Sequence, residues 1–134
     1  MTILTGTVAM APSIQSTRGG GEVISSNVRG VAAPIATSGD NIYTAWPNND
    51  TGHWGVFFAK SIDGGKTLGK TLMLSAPNKG NVVDLNVDIA ASGNNVVVTW
   101  WTNKTGVLMP VFKASSDSGD TFGKTIILNS TSIP

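Results

Sequence analysis

The sequence predicts an all-β fold in which two repeats each form a four-stranded antiparallel, propeller-type blade. The first observation is an internal repeat: SIDGGKTLGKTLML begins at Ser61 and SSDSGDTFGKTIIL at Ser115, an offset of 54 residues (115 − 61 = 54). The second is that β-branched and aromatic segments alternate with Gly, Asn, Asp and Ser turns, without helical periodicity. A period of this length is typical of stacked four-stranded units. The offset also aligns, without a gap, Ile35 with Ile89, Gly39 with Gly93, Trp46 with Trp100, and Phe58 with Phe112.

Four strands are expected in each repeat, in the same order. In the first repeat they are expected at residues 31–36, 41–46, 54–59 and 71–74. In the second repeat they are expected at residues 85–90, 95–101, 108–114 and 125–128. A Ser-Gly turn comes before the second strand of each repeat, as turn chemistry favours. The chain therefore divides into an N-terminal extension (1–27), a first blade (28–81) and a second blade (82–134).

The N-terminal extension contains β-prone segments that neither blade needs, at residues 2–8 and 21–27. The glycines at positions 19–21 form a flexible joint between them. Because a blade edge is a template for an added strand, we expect the segment before Gly21 to pair with another copy of the chain. A disordered terminus is the alternative.

The composition excludes several classes of protein. Nine Lys and Arg against eight Asp and Glu give a net charge of +1, which leaves no basic surface for nucleic acid. The absence of cysteine excludes disulfides and thiolate zinc sites. No apolar run is long enough for a membrane span. Low charge and three N-x-[ST] sequons favour an extracellular glycoprotein, although at the first two sequons turn chemistry alone explains the residues. The sequon asparagines are Asn49, Asn103 and Asn129.

The repeated stretch carries a recognisable motif. Its residues follow the pattern S-x-D-x-G-x-T-[WF], at Ser61, Asp63, Gly65 and Thr67 and again at Ser115, Asp117, Gly119, Thr121 and Phe122. This pattern resembles the Asp-box, or bacterial neuraminidase repeat, of sialidase-like β-propellers, and the resemblance covers residues 28–129. It implies that the motif forms the turn between the third and fourth strands of a blade, far from any active centre. Leu68 stands where the pattern has an aromatic residue, which predicts weaker packing in the first copy.

The resemblance also sets a test for enzymatic activity. Active family members use three arginines, a tyrosine nucleophile with a glutamate, and an acid/base aspartate. The chain has two arginines, one tyrosine and one glutamate, so we expect no enzyme, no cofactor and no metal site. A carboxylate pair on one strand face, Asp84 and Asp88, is an alternative that we disfavour. We read His53 as an exposed loop residue. The residues of this chain that match the family's catalytic set by residue type are Arg18, Arg29, Tyr43 and Glu22.

The four tryptophans are the candidates for ligand binding, because aromatic faces stack on sugar rings. Trp46 and Trp100 match each other in the repeat, which indicates spacers between blades. Trp54 and Trp101 have no repeat partner and are the expected binding residues.

Two blades leave two apolar sheet faces without cover, which predicts self-association into a homo-oligomeric ring or a filament. The expected function is therefore a non-enzymatic, extracellular module that presents a structural or recognition surface. A glycan-binding lectin and an inactive fragment of a larger sialidase-like protein are the two alternatives.

Overall fold

The computed structural model describes residues 33–75 and 78–128, which form two four-stranded antiparallel sheets and no helix. This confirms the all-β prediction. The described residues therefore include no helix that could cross a membrane. The order within each sheet follows the chain. Sheet 1 comprises β1 (Ile35–Ser38), β2 (Asn41–Asn48), β3 (Gly55–Ser61) and β4 (Leu72–Met73). Sheet 2 comprises β5 (Asp84–Ser92), β6 (Asn95–Thr102), β7 (Met109–Ser115) and β8 (Ile126–Ile127).

All eight predicted strands are present, but several bounds differ from the predicted ones. The last strand of each sheet has two residues rather than four. β2 continues through Pro47, which lies opposite Val56 in the antiparallel register. β1 extends to Ser38 rather than ending at Ala36. The N-terminal segments 2–8 and 21–27 lie outside the described residues, so the strand-exchange prediction stays a prediction.

The hydrophobic core lies between the two sheets. Strand register places Tyr43, Ala45, Val56 and Phe58 on one face of sheet 1, which we call its inner face. All four are buried in one cluster with residues of sheet 2. The inner face of sheet 2 contributes Val87, Val96, Val98, Trp100 and Val111 to that cluster.

The opposite face of each sheet, its outer face, is less buried. On sheet 1 the outer face includes the half-buried pair Trp46 and Phe57, whose ring centroids are 6.2 Å apart. Ile35, on the same face, is 64% exposed. On sheet 2 the outer face includes Val97, Thr99 and Phe112, all half-buried, and Trp101, which is 39% exposed.

Side chains from both repeats tie the sheets together. The Ser38 hydroxyl donates to the Gly93 carbonyl, at 2.9 Å. The Lys60 ammonium donates to the Ser118 carbonyl at 2.8 Å and forms an ion pair with Asp120 at 2.6 Å. Because these contacts join turns of sheet 2 to strands of sheet 1, they fix how the two repeats are registered on each other.

A β-bulge interrupts β5 between Leu85 and Asp88, where Asn86 has a φ of 55°. An extra residue of this kind reverses the alternation of side chains along a strand. Asp84 pairs with Thr102 and is buried, whereas Asp88 pairs with Thr99 and is exposed. The expectation that Asp84 and Asp88 share one face is therefore wrong, and the two carboxylates are not placed to flank a scissile bond together.

Candidate functional site

The motif residues of the first repeat form a turn that is held by a network of hydrogen bonds. The Ser61 hydroxyl donates to Asp63 Oδ1 at 2.7 Å and accepts from the Gly65 backbone N–H at 2.8 Å. The two oxygens of Asp63 accept from Thr67, from the backbone N–H at 2.9 Å and from the hydroxyl at 2.6 Å. Gly65 adopts a φ of 95°, a conformation that L side chains rarely adopt. The Ser61 hydroxyl and both carboxylate oxygens of Asp63 therefore each accept a hydrogen bond from within the turn.

The motif turn of the second repeat has the same geometry. Ser115 donates to Asp117 at 2.7 Å and accepts from Gly119 at 2.8 Å. Thr121 donates to the two oxygens of Asp117 at 2.9 and 2.6 Å. The motif residues singled out in the sequence thus come together as two equivalent turns.

The hydrogen bonds also hold both aspartates in their charged form. The hydroxyl and then the backbone N–H of Thr67, followed by the Ser61 hydroxyl, lower the pKa of Asp63 from 3.8 to about 2. The same groups of Thr121 and Ser115 lower the pKa of Asp117 to about 2. Hydrogen bonds that favour the carboxylate lower its pKa in this way. A general acid needs a pKa near the working pH, so the shift favours a structural role.

The two turns differ in what lies beyond them. Phe122 packs edge-on against Phe58 of sheet 1, with ring centroids 4.9 Å apart. A Cβ atom at Gly119 would lie 2.6 Å from Phe58 Cζ, so the turn contacts the neighbouring sheet directly. Leu68, the counterpart of Phe122, is 59% exposed. The aromatic residue therefore packs against the neighbouring sheet as well as beside its own turn.

Of the four residues that match the family's catalytic set by type, the structure describes only Tyr43. Tyr43 is fully buried, stacks against Phe58 and accepts a hydrogen bond from the Asn41 amide at 3.0 Å. His53 lies exposed in the β2–β3 loop. Arg18, Glu22 and Arg29 lie outside the described residues. Among residues 33–75 and 78–128, no group of three His, Asp or Glu side chains could hold a metal ion.

A cavity of about 280 Å³ lies at the end of sheet 2 near the segment that joins the sheets. Asp84 and Trp100 line it, together with Lys104 and Lys113. Burial and then the nearby Lys104 charge lower the pKa of Lys113. Two buried oxygens near this cavity, Asp84 Oδ1 and Asn78 Oδ1, have no hydrogen-bond partner among the described residues.

Asn78 connects this region to sheet 1. Its amide donates to the Trp54 carbonyl at 2.8 Å and to Asp84 Oδ2 at 2.6 Å. Sequence reasoning missed this link and the cavity. Asn78 has no repeat partner in the described residues, so the repeat does not indicate a role for it. In the sequence, Asp84 resembles a charged strand residue that is exposed to solvent.

The four tryptophans occupy four different environments. Trp100 is buried in the core, whereas its counterpart Trp46 is half-buried on the outer face of sheet 1. Trp101 lies on the outer face of sheet 2, and Trp54 is half-buried just before β3. Neither Trp54 nor Trp101 lines the cavity, which uses Trp100 instead.

The first two sequons lie in matching turns. The Gly52 N–H donates to the Asn49 carbonyl at 2.8 Å, and the Gly106 N–H donates to the Asn103 carbonyl at 2.9 Å. Asn49 is exposed, but the Asn103 amide oxygen accepts from the Val83 N–H at 2.8 Å. Turn formation therefore accounts for both sites without a glycan. Asn129 lies outside the described residues, and glycosylation stays a prediction.

The chain matches no model of a protein family. A search of curated proteins finds no match either. The Asp-box resemblance therefore depends on the motif residues and on the geometry of the two turns.

Proposed function

We propose that the protein is a non-enzymatic, extracellular Asp-box module of propeller-type blades that acts by self-association and presents a structural or recognition surface. The observation that carries the proposal is the contrast between sheet faces. The inner faces pack against each other and supply most of the buried core, whereas the outer faces carry half-buried Trp46, Phe57 and Phe112. Apolar sheet faces of this kind favour association with a matching surface.

The two Asp-box turns support a structural role. Their serine and aspartate oxygens are occupied by hydrogen bonds of the turns, and both aspartates stay ionised down to low pH. Groups engaged in this way are poorly suited to grip or activate a substrate. We accordingly propose that the chain releases no sialic acid and cleaves no aryl glycoside, and turnover that disappears in Tyr43→Phe would contradict this.

The mass of the native assembly tests self-association. We expect light scattering and sedimentation equilibrium to return a species several times heavier than the 13.8 kDa chain, with a concentration-dependent distribution. A monodisperse monomer across the concentration range would refute the proposal.

Deleting residues 2–18 separates strand exchange from pairing of the outer faces, since only strand exchange needs that segment. Smaller species after the deletion would support exchange, and an unchanged assembly would exclude it.

A second candidate function, saccharide binding, is favoured by the cavity at the end of sheet 2. Lys104 and Lys113 offer donors that pair with sugar hydroxyls, and the buried Asp84 and Trp100 lie beside them in the lining. Titrating neutral hexoses while recording the four tryptophan indole N–H signals tests it. A selective shift of Trp100 supports a site in this cavity, shifts of Trp54 or Trp101 support the site expected from the sequence, and no shift argues against both.

A further inference from the structure

The two outer faces are the repeat counterparts of the two inner faces. The 54-residue offset relates Ile42, Thr44, Trp46 and Phe57 of the outer face of sheet 1 to Val96, Val98, Trp100 and Val111 of the inner face of sheet 2. It likewise relates Val97, Thr99 and Phe112 of the outer face of sheet 2 to Tyr43, Ala45 and Phe58 of the inner face of sheet 1. Each outer face of the molecule therefore corresponds, in the repeat, to one of the two faces that meet in its internal junction.

We infer that the outer face of sheet 2 in one copy binds the outer face of sheet 1 in the next copy, head to tail, in the arrangement of the internal junction. This inference rests on the proposed self-association and specifies which surfaces meet. Such a contact is heterologous, so repeated addition gives a ring if the rotation closes and a filament if it does not.

The internal junction favours this pairing over contact between identical faces. The outer face of sheet 1 carries the stacked Trp46 and Phe57. The outer face of sheet 2 carries Val97 and Thr99 at its centre, with Phe112 beside them. In the internal junction their repeat counterparts pack in one cluster, which includes Trp100 and Val111 of sheet 2 and Tyr43, Ala45 and Phe58 of sheet 1. Contact between two identical faces has no such precedent in the molecule.

Contacts at the turns extend the correspondence. At the internal junction, the Ser38 hydroxyl donates to the Gly93 carbonyl. The repeat counterparts are Ser92 and Gly39, so Ser92 is expected to donate to the Gly39 carbonyl of the next copy. Leu68 takes the place of Phe122, and Phe112 takes the place of Phe58. The exposed Leu68 would thus be covered by Phe112 of the neighbouring copy.

One internal contact has no counterpart. Lys60 and Asp120 form the ion pair between the sheets, and the corresponding residues are Ala114 and Lys66. The junction between copies therefore lacks this pair. Because salt screens ion pairs but not apolar contacts, the association should not weaken as ionic strength rises.

A complementation experiment tests the inference on the full chain. One variant, Ile35→Glu with Met73→Glu, places charges on the outer face of sheet 1, where these residues are 64% and 40% exposed. The other, Trp101→Glu with Ile126→Glu, does the same for sheet 2, where they are 39% and 44% exposed. Exposed positions are chosen so that both variants fold, which circular dichroism and thermal melting verify.

The matched control carries two glutamates away from both faces, at Ile62 and Val107, which are 67% and 65% exposed. Their repeat counterparts, Ser116 and His53, are also exposed, so neither position is expected at a junction. This control should assemble as the unmodified chain does.

We expect each blocked variant to be monomeric alone, and an equimolar mixture to give one 1:1 dimer that grows no further. Sedimentation and native mass spectrometry measure both. A blocked variant that still self-associates would show that identical faces pair or that the N-terminal segment exchanges, and either result overturns this inference and leaves the proposed function standing. A mixture of folded variants that stays monomeric overturns it as well. An unmodified chain that is itself monomeric refutes the proposed function and the inference together.

Discussion

The motif turns of the two repeats have the same internal geometry but different surroundings. Corresponding hydrogen bonds agree closely in length, and both aspartates have a pKa of about 2. Beyond the turn, however, the second copy packs against the neighbouring sheet through Gly119 and Phe122, while Leu68 of the first copy is exposed. The comparison separates two effects of the motif. Its own hydrogen bonds are local and equal in both copies, whereas its packing between sheets depends on a neighbouring sheet.

The largest expected difference between the repeats is at the motif glycine. Gly119→Val should cost about 3–5 kcal/mol of unfolding free energy, because it combines a positive φ with a close approach to Phe58. Gly65→Val shares the backbone strain but meets only the Ile42 Cδ1 atom, at 3.2 Å, so about 1–3 kcal/mol is expected. Urea denaturation of both variants checks the order, and equal losses would mean that the neighbouring sheet does not matter.

The terminal residue of the motif should give the next largest difference. Phe122→Ala removes a half-buried ring that packs on Phe58, and a loss of about 2 kcal/mol is expected, below the range for fully buried aromatics. Leu68→Ala should change stability by less than about 0.5 kcal/mol, as for other exposed positions. Thermal melting of the isolated monomer measures both. In a head-to-tail assembly Leu68 lies at the junction between copies, so Leu68→Ala should weaken the association of the chains.

The serines should give a similar loss in both repeats. Ser61→Ala and Ser115→Ala each remove the acceptor of a motif glycine N–H, at a cost of about 1 kcal/mol or more. Because these bonds lie inside the turn, the neighbouring sheet should not alter the result. Denaturation midpoints that differ clearly between the two variants would contradict the separation of local from tertiary effects.

The pH dependence should likewise show no difference between the repeats. Asp63 and Asp117 have a lowered pKa in the folded chain, so their contribution is present above about pH 4 and is lost as the pH falls towards 2. Asp63→Asn and Asp117→Asn should each flatten the fall of melting temperature between pH 5 and about pH 2 by the same amount. An acid profile that neither variant changes would show that the hydrogen bonds do not hold the carboxylates ionised.

The repeat made much of the fold predictable, because it gave the number, order and class of the strands and located both turns. It could not distinguish an inner face from an outer one. Trp46 and Trp100 occupy equivalent positions, and only the placement of the neighbouring sheet buries one and half-exposes the other. The bulge at Asn86 could not be predicted either, because the sequence prediction assumes that side chains alternate strictly between the two faces of a strand. For this reason the sequence predicts Asp84 and Asp88 on one face.

The candidate site was predictable only where its chemistry is local. Ser, Asp, Gly and Thr at fixed spacing specify the turn, since the hydrogen bonds among these four residues join positions no more than four apart. The link from Asn78 to Asp84 and Trp54 crosses between repeats and has no periodic signal. The ion pair of Lys60 with Asp120 arises for the same reason, from residues that the repeat does not duplicate.

The short sequence separation of the hydrogen bonds among the motif residues has a consequence for the order of events in folding. Each turn closes a short loop, so its β-hairpin can form in the chain before the sheets meet, whereas the contact of Phe58 with Phe122 must wait for distant segments. Removing the Ser115 hydroxyl should therefore slow refolding. Truncating Phe122 should leave the refolding rate nearly unchanged and mainly accelerate unfolding. Stopped-flow measurements on the two variants would thus show whether each repeat forms its own nucleus, with docking of the two sheets as the later step.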